Sequence, residues 1–370
     1  MGNLTSNSNS PAAGSELLLR PATEEDAPAW DGFVERHPHA RFAHLWGYRR
    51  VLEGAYGYRC AYLSIFAGDR RVGVFPSIVV RRGGARLISQ PFIEYGGPLI
   101  EGLSTEQQKL LPSMLLRAAR EHGCQSIEIR GGIGCEPMLE SEYCVKHPLH
   151  SYAVLDLAPK EQLWRKALTN EARKGVNRAQ KAGLTVDVRR SAAAVGDPFY
   201  DLYLISMKRL GVPPHSRQFF TQLAAGIGDH LVAAWVMDKA APVAMLLGAV
   251  AGQRIQIFIT ASDPQAWASR PNDLAHWELI QWAFSTGLRE FDFGSARYEG
   301  QIQFKKKWGV SLYEYGYYLI GEPNSAAIRQ IHTVQTSSRL MTAMSSLWRT
   351  AVPTKVTGLL GPSLRKLLTK

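Results

Sequence analysis

Glu290-Phe291-Asp292-Phe293-Gly294, followed downstream by Phe304-Lys305-Lys306-Lys307-Trp308-Gly309, is the stretch from which the fold is read. The first segment reads as a short buried strand that ends in a glycine turn, and the Tyr-rich run Leu312 to Ile320 reads as another strand. Between them Phe304 and Trp308 stand one helical turn apart. They share a face of a short helix and hold Lys305 away from that face. A lysine anchored by aromatic neighbours beside a strand sets a fixed positive charge against an anionic substrate. The same run reads equally as a solvated basic face, so the residues alone leave both roles open for Lys305.

Working outward, the pattern is mixed α/β. Glu16 to Arg20 reads as a strand and Glu24 to Arg36 as a helix with Thr23 as N-cap. Ala61 to Ala67 and Arg71 to Val80 read as a hairpin, Ser104 to His122 as an amphipathic helix, and Ser126 to Arg130 as a strand. The second half follows a similar order: a long helix from Pro159 to Ala182, a strand, two helices, three strands over Leu231 to Thr260, then a helix Asp273 to Thr286. The recurrence predicts two related halves, each a largely antiparallel sheet flanked by helices. The expected organisation is a disordered leader (1–15), an N-terminal domain (16–155), a C-terminal domain carrying the active site (156–325) and a basic amphipathic tail (326–370).

The chain has 370 residues, 45% hydrophobic and 20% charged, enough to build a sizeable core. Cys60, Cys124, Cys135 and Cys144 form no C-x-x-C pair, which predicts reduced thiols, a cytoplasmic setting and no zinc site. No uninterrupted apolar run is long enough to span a bilayer. The net charge of +11 is uneven. The tail carries Arg329, Arg339, Arg349, Lys355, Arg365, Lys366 and Lys370 with no acid, and Arg165 to Arg190 is basic as well. Both regions imply an anionic partner: nucleotide phosphate, tRNA or acidic lipid. In the tail, Leu340, Met344, Leu347 and Trp348, then Val356, Leu360, Leu364 and Leu367, form apolar stripes. These either lie on an anionic membrane surface, making the protein peripheral, or pack on the body.

On the predicted long helix, Trp164, Leu168, Ala172, Gly175, Val176 and Ala179 share the packing side, with Lys166, Arg173, Lys174 and Lys181 opposite. Arg173, Lys174 and Arg178 are therefore candidates to draw in a polyanionic substrate. Asn272, after Pro271, reads as a cap of its helix or as a donor to a bound anion. Arg270 and Arg297 flank the same region and suit bidentate contacts to phosphate or carboxylate. Tyr298, Asp292 and His276 are possible proton relays, but no spacing singles out a base. Tyr95, before Gly96-Gly97, reads as a cleft residue or a strand-end turn. His37, His39 and His44 read as loop and packing residues, and Gly131-Gly132-Ile133-Gly134 does not read as a phosphate loop.

The combination Arg270-Pro271-Asn272-Asp273-Leu274, Trp277-Glu278-Leu279-Ile280-Gln281-Trp282-Ala283 with Gly287, Phe291-Asp292-Phe293-Gly294 and Phe304-Lys305-x-x-Trp308-Gly309 resembles the C-terminal half of FemAB-type transferases. These are peptidoglycan-bridge aminoacyltransferases and exopolysaccharide-associated relatives built from GNAT-like domains. Lys208 to Pro214, Phe42 to Trp46 and Pro91 to Gly97 extend the resemblance over most of residues 15–320. It implies tandem GNAT-like domains and Lys305 as the catalytic cation, with Lys306 and Lys307 left as a solvated face. It further implies transfer of an acyl or aminoacyl group to a cell-envelope saccharide or peptidoglycan precursor, carried as an anionic, nucleotide- or lipid-linked substrate. No tightly bound cofactor is expected, and the donor, aminoacyl-tRNA or acyl-CoA, is a co-substrate. Pro159 to Gly183 is shorter than the coiled-coil arm with which some members hold tRNA, and the Arg/Gln-x-x-Gly-x-Gly/Ala pyrophosphate signature of simple GNAT enzymes is not evident. The alternatives are an acyl-CoA-dependent N-acyltransferase and a non-catalytic membrane-surface adaptor.

Overall fold

The computed structural model describes residues 16–81, 84–93, 95–323, 345, 346, 348–350 and 352–368. The expected leader, and Leu340, Met344 and Leu347 of the tail, lie outside the described residues. In chain order the elements begin with β1 (Leu17–Pro21), α1 (Ala27–Arg36), α2 (Tyr48–Tyr56), β2 (Arg59–Cys60), β3 (Leu63–Ala67), β4 (Arg70–Phe75), β5 (Ser77–Val80), β6 (Arg86–Ser89) and β7 (Leu99–Ile100). There follow α3 (Thr105–Glu121), β8 (Ser126–Gly131), α4 (Glu136–Leu139) and β9 (Cys144–Asp156). The second half contains α5 (Lys160–Gln162), α6 (Asn170–Lys181), β10 (Thr185–Arg190), α7 (Phe199–Leu210), α8 (Arg217–Ile227), β11 (Leu231–Asp238), β12 (Ala241–Ala251) and β13 (Arg254–Ser262). It closes with α9 (Pro271–Ser285), β14 (Glu290–Ala296), α10 (Glu299–Lys306), β15 (Ser311–Ile320) and, in the tail, α11 (Thr354–Leu368).

The architecture is the mixed α/β arrangement expected. A sheet runs β10-β11-β12-β13-β14-β9-β15-β8-β6-β5-β2, and a smaller one runs β1-β3-β4-β7. The larger sheet crosses from one half to the other because β15, from the end of the second half, inserts antiparallel between β9 and β8. Apolar side chains are buried in both halves. One cluster joins them: Trp30, Phe42 and Tyr48 pack with Phe199, Phe220 and Trp235. A second, with Trp277, Phe291 and Trp308, lies under α6 and α9. Since burying an aromatic side chain contributes about 2–3 kcal/mol, the shared cluster ties the halves together strongly.

One sequence expectation is corrected here, and one left open is narrowed. The stretch Pro159 to Ala182 is not one helix. Leu163–Ala167 winds as a wider π-type turn, the chain extends at Leu168, and Thr169 starts α6 afresh, its hydroxyl accepting from Ala172 N at 3.4 Å. The apolar count was correct, but periodicity cannot register a capping threonine that competes with helix continuation. In the tail, the described helix α11 packs on the body, yet not by its leucine stripe. Thr357 is fully buried, Gly358 lies beside Leu204 and Gly361 beside Pro214, while Leu359, Leu360 and Leu367 are exposed. Small residues allow the close approach to α7, while Leu359, Leu360 and Leu367 are turned outward and Leu364 is half-buried. Among the described residues no helix is long and apolar enough to cross a membrane.

Candidate active site

β13 and β14 pair in parallel only from Arg254↔Glu290 to Gln256↔Asp292. On its other side β14 pairs with β9 from Glu290 to Ala296, with an irregularity between Asp292 and Ser295. Gly294 sits in this irregularity at φ 74°, with a Cβ position only 2.9 Å from the Ile257 carbonyl oxygen. A side chain there would have to displace backbone, so glycine permits the bend.

The bend is stabilised by two cationic side chains acting on opposite sides of it. On the buried side, Asp292 is fully enclosed. Its Oδ1 accepts from the Tyr95 hydroxyl at 3.0 Å and from Gly294 N at 2.8 Å. Arg41 Nε faces its Oδ2 at 3.0 Å, and Arg254 Nη1 approaches the same oxygen at 3.8 Å while its other end pairs with Glu290. Arg41 also donates to the His39 and Ala40 carbonyls and lies over the rings of Tyr95 and Tyr152. Burial, opposed by the carboxylates but reinforced by Arg41, lowers the pKa of Arg254. Gln256 follows Arg254 by two residues and is paired in register with Asp292; its buried Oε1 has no hydrogen-bond partner among the described residues.

From the other side, α10 delivers Lys305. Its ammonium donates to the Gly294 carbonyl at 2.8 Å and to the Ser295 carbonyl at 2.5 Å, and the residue is 8% exposed. The main-chain irregularity and the lysine are therefore one construction: the bent strand presents consecutive carbonyls, and a cation collects them. His276 packs beneath, its ring 5.3 Å from Phe293 and 5.7 Å from Trp308, with Nδ1 2.7 Å from the Asn272 carbonyl. Burial holds its pKa down to about 3, so it is a neutral core histidine.

Lys307 corrects an expectation. Lys306 is exposed as foreseen, but Lys307 is buried, paired with Asp273 of α9, and lies 4.2 Å from the Phe304 ring centroid. Charge-run reading treats neighbouring lysines alike, whereas the turn after α10 points one outward and two inward. Asp273 in turn lies against Gly175, where a Cβ would overlap its carboxylate. This close crossing of α6 and α9 brings Lys174, Arg178 and Arg270 around one groove of about 470 Å³, with Asn170 and Glu171 on its rim. Arg270 is the N-cap of α9 at φ 57°, a conformation that costs a non-glycine residue about 1–3 kcal/mol. The groove thus combines three cations with the positive end of a long helix.

The remaining candidates separate. Arg173 does not line that groove; its guanidinium donates to the carbonyls of Trp164 at 2.9 Å and Leu168 at 2.7 Å, closing the break before α6. Asn272 does not cap α9. It lies within the first turn, its Nδ2 donates to Ser262 Oγ at 3.3 Å, and its buried Oδ1 has no partner among the described residues. Arg297 and Tyr298 stand exposed at the end of β14, with Arg297 Nε donating to Ser295 Oγ at 3.3 Å. Tyr95 is buried rather than facing an open cleft, and its ring meets Tyr152 and Tyr315.

A second cavity, about 300 Å³, is lined by Gly131 at the end of β8, by Gly132 and Ile133 after it, by Lys146 and Ser151 of β9, and by Glu314 and Tyr315 of β15. Ser151 is the β9 partner of Ala296, next to the Ser295 carbonyl held by Lys305. The glycine run discounted as a phosphate loop is therefore a cavity wall, which only the β8–β15 pairing could reveal. Arg41 was also missed. Its one sequence signal is a charge set in the apolar stretch Ala40 to Trp46.

Residues 166–306 match the family described as Acetyltransferase (GNAT) domain. No curated protein matches the chain in sequence. Among solved structures, FemX superposes with a TM-score of 0.68 at 14% identity, covering 85% of this chain and 99% of that one. A C-terminal domain assigned to a lysylphosphatidylglycerol synthetase of Agrobacterium fabrum gives 0.55 at 15% identity, covering 85% and 96%. The tandem GNAT protein from the clavulanic acid biosynthesis pathway gives 0.50 at 12% identity, covering 82% and 98%. Residues 166–306, which span β14 and Lys305, thus match a GNAT acetyltransferase domain, as an acyltransferase would, and the chain as a whole shares the fold of FemX and of the tandem GNAT protein.

Proposed function

We propose that the protein transfers an acyl or aminoacyl group to an amine or hydroxyl of a cell-envelope saccharide or peptidoglycan precursor. The observation that carries this reading is the buried ammonium of Lys305, held on the carbonyls of Gly294 and Ser295 where β14 bends. In this mechanism the acceptor attacks the donor carbonyl directly. The new C–N or C–O bond forms, negative charge collects on the carbonyl oxygen beside Lys305, and the bond to the donor's ribose oxygen or thiol sulfur then breaks. The acceptor's proton leaves with that group or to solvent. A preorganised cation in a site poor in water favours this charged state over the neutral ground state.

The two cavities suit the two substrates. Lys174, Arg178 and Arg270 match the phosphates of a donor, whether tRNA terminus or coenzyme A. The cavity beside Ser151 and Tyr315, with both an acid and a base in its wall, suits a polar acceptor. Arg297 and Tyr298 are proposed to meet substrate at the exposed end of β14, whereas Arg173, Asn272 and Tyr95 act by positioning. A second reading, with acyl-CoA as donor, is favoured by the GNAT acetyltransferase-domain match. The exposed Leu359, Leu360 and Leu367 beside Lys366 support peripheral contact with an anionic membrane surface.

The test is incubation of the full chain with aminoacyl-tRNA or acyl-CoA and a nucleotide-linked muropeptide, followed by mass spectrometry of the acceptor. A mass increment of one acyl or aminoacyl group, lost in Lys305→Ala, is the expected result. An unmodified acceptor with every donor, from folded protein, rejects the assignment.

A further inference from the structure

Between the halves, away from Lys305, lies a partly open cavity of about 80 Å³ walled by Phe42, Phe92, Tyr203 and Phe258 and reached by Tyr48, His215 and Arg365. Its wall is aromatic, yet it is not inert. The Tyr48 hydroxyl is fully buried and has no hydrogen-bond partner among the described residues. Leaving such a group unsatisfied is costly unless something in the cavity accepts its proton. The imidazole of His215 is kept neutral by burial and by the nearby Arg365 charge. The Tyr56 hydroxyl and Nδ1 of His215 are hydrogen-bonded to each other, which holds the imidazole at the cavity wall.

Arg365 supplies the charge. It reaches in from α11, with Nη1 on the Pro213 carbonyl at 2.6 Å and its guanidinium 5.4 Å from the Phe92 ring centroid. Among the described residues that line the cavity it is the charged side chain and none is a carboxylate. Phe92 and Gln90 are both held at positive φ, 68° and 36°, where non-glycine residues are strained. Such strain collects where a surface is shaped for a ligand, and here it turns the Phe92 ring into the cavity wall.

We propose that this cavity binds a carboxylate with a small apolar body, the anion facing Arg365 and the Tyr48 hydroxyl and the apolar part lying among the rings. The volume admits a group of a few carbon atoms and no more. A short-chain organic acid and a peptide ending in a small residue share this chemistry. Because Arg365 comes from α11, occupation would also fasten the tail helix to the body. The site lies outside the transfer machinery and does not depend on the proposed reaction.

Calorimetric titration of the full chain with butyrate, N-acetyl-alanine and butanol, at fixed ionic strength, tests the proposal. Saturable one-to-one binding of a carboxylate, with none for butanol, is expected. Whichever carboxylate binds distinguishes a free acid from a chain end. Arg365→Gln should weaken it by about tenfold or more, and Tyr48→Phe by about fivefold, as expected for a charged and a neutral donor. Should Arg365→Gln fail to fold in a thermal melt, Tyr48→Phe, which keeps the ring, decides alone. Binding unchanged by the variants, equal binding of butanol, or no saturation by either carboxylate overturns the proposal.

Discussion

Arg41, from the N-terminal half, and Asp292, at the bend of β14, face each other at 3.0 Å with 1% and 0% of their side chains exposed. Tyr95, from the same half, donates to Asp292 Oδ1 at 3.0 Å, and that oxygen also holds Gly294, so Asp292 ties the first part of the chain to the strand that carries the catalytic candidate. Removing one partner leaves the other charged in a dry environment. Arg41→Ala or Asp292→Ala should therefore lower unfolding free energy by about 3–5 kcal/mol, whereas Arg41→Met combined with Asp292→Leu should cost clearly less. Denaturant unfolding of all three variants checks this; a double variant worse than the sum of the singles would contradict it.

Lys305→Ala should reduce the turnover of acyl transfer by about 10²–10³-fold, the cost typical of losing one preorganised stabiliser of an oxyanion. Lys306→Ala, at the exposed neighbour, should leave turnover unchanged. Steady-state kinetics with saturating donor separates the two.

Gly175 makes the contact that sets α6 against α9. Gly175→Val should press on Asp273, strain its pair with Lys307 and cost about 1–3 kcal/mol. It should also raise KM for the donor, because Lys174 and Arg178 move with α6. Thermal melts and donor titrations report the two effects independently.

Lys174→Ala with Arg178→Ala should raise KM for a phosphate-bearing donor while leaving kcat near that of the parent. The parent's KM should climb with added salt, and the double variant's should climb less, because exposed cations are screened over about 10 Å at 0.1 M ionic strength. A salt response identical in both proteins would remove these residues from donor binding.

His276 and His44 are each buried, and burial is the main reason that their pKa values are held down to about 3. Unfolded, each takes up a proton near pH 6.5. The unfolded chain thus binds more protons than the folded one between about pH 6.5 and 3, so this contribution to stability is complete above 6.5 and is lost as pH falls toward 3. The slope is at most about 1.4 kcal/mol per pH unit for each histidine. His276→Phe, which keeps the stack with Phe293 and Trp308, should flatten it when unfolding is followed across that range.

The strand Glu290 to Gly294, the short helix with Phe304 and Lys305, and the strand ending at Ile320 were legible because their apolar spacing repeats at strand or helix period over a few residues. So was the mixed α/β class. The burial of Lys307 was not, because its partner Asp273 lies far away in sequence. For α11 the sequence left packing on the body and lying on a membrane open; the contact with the body runs through Gly358 and Gly361, because a close helix contact selects small residues, and Leu360 and Leu367 stay exposed. Thr169 broke a helix whose periodicity continued through it.

Local chemistry in the chain therefore determined most of the elements that form, since capping, turn formation and hydrophobic period act over a handful of neighbours, while the lysine lying against the rings of Phe304 and Trp308 is Lys307 rather than Lys305. Only the tertiary structure decided what each charge meets. Arg41 with Asp292, Lys305 with the carbonyls of a bent strand, and Lys174 with Arg270 are brought together by sheet register and helix crossing, and a buried charge takes its function from its partner rather than from its place in the chain.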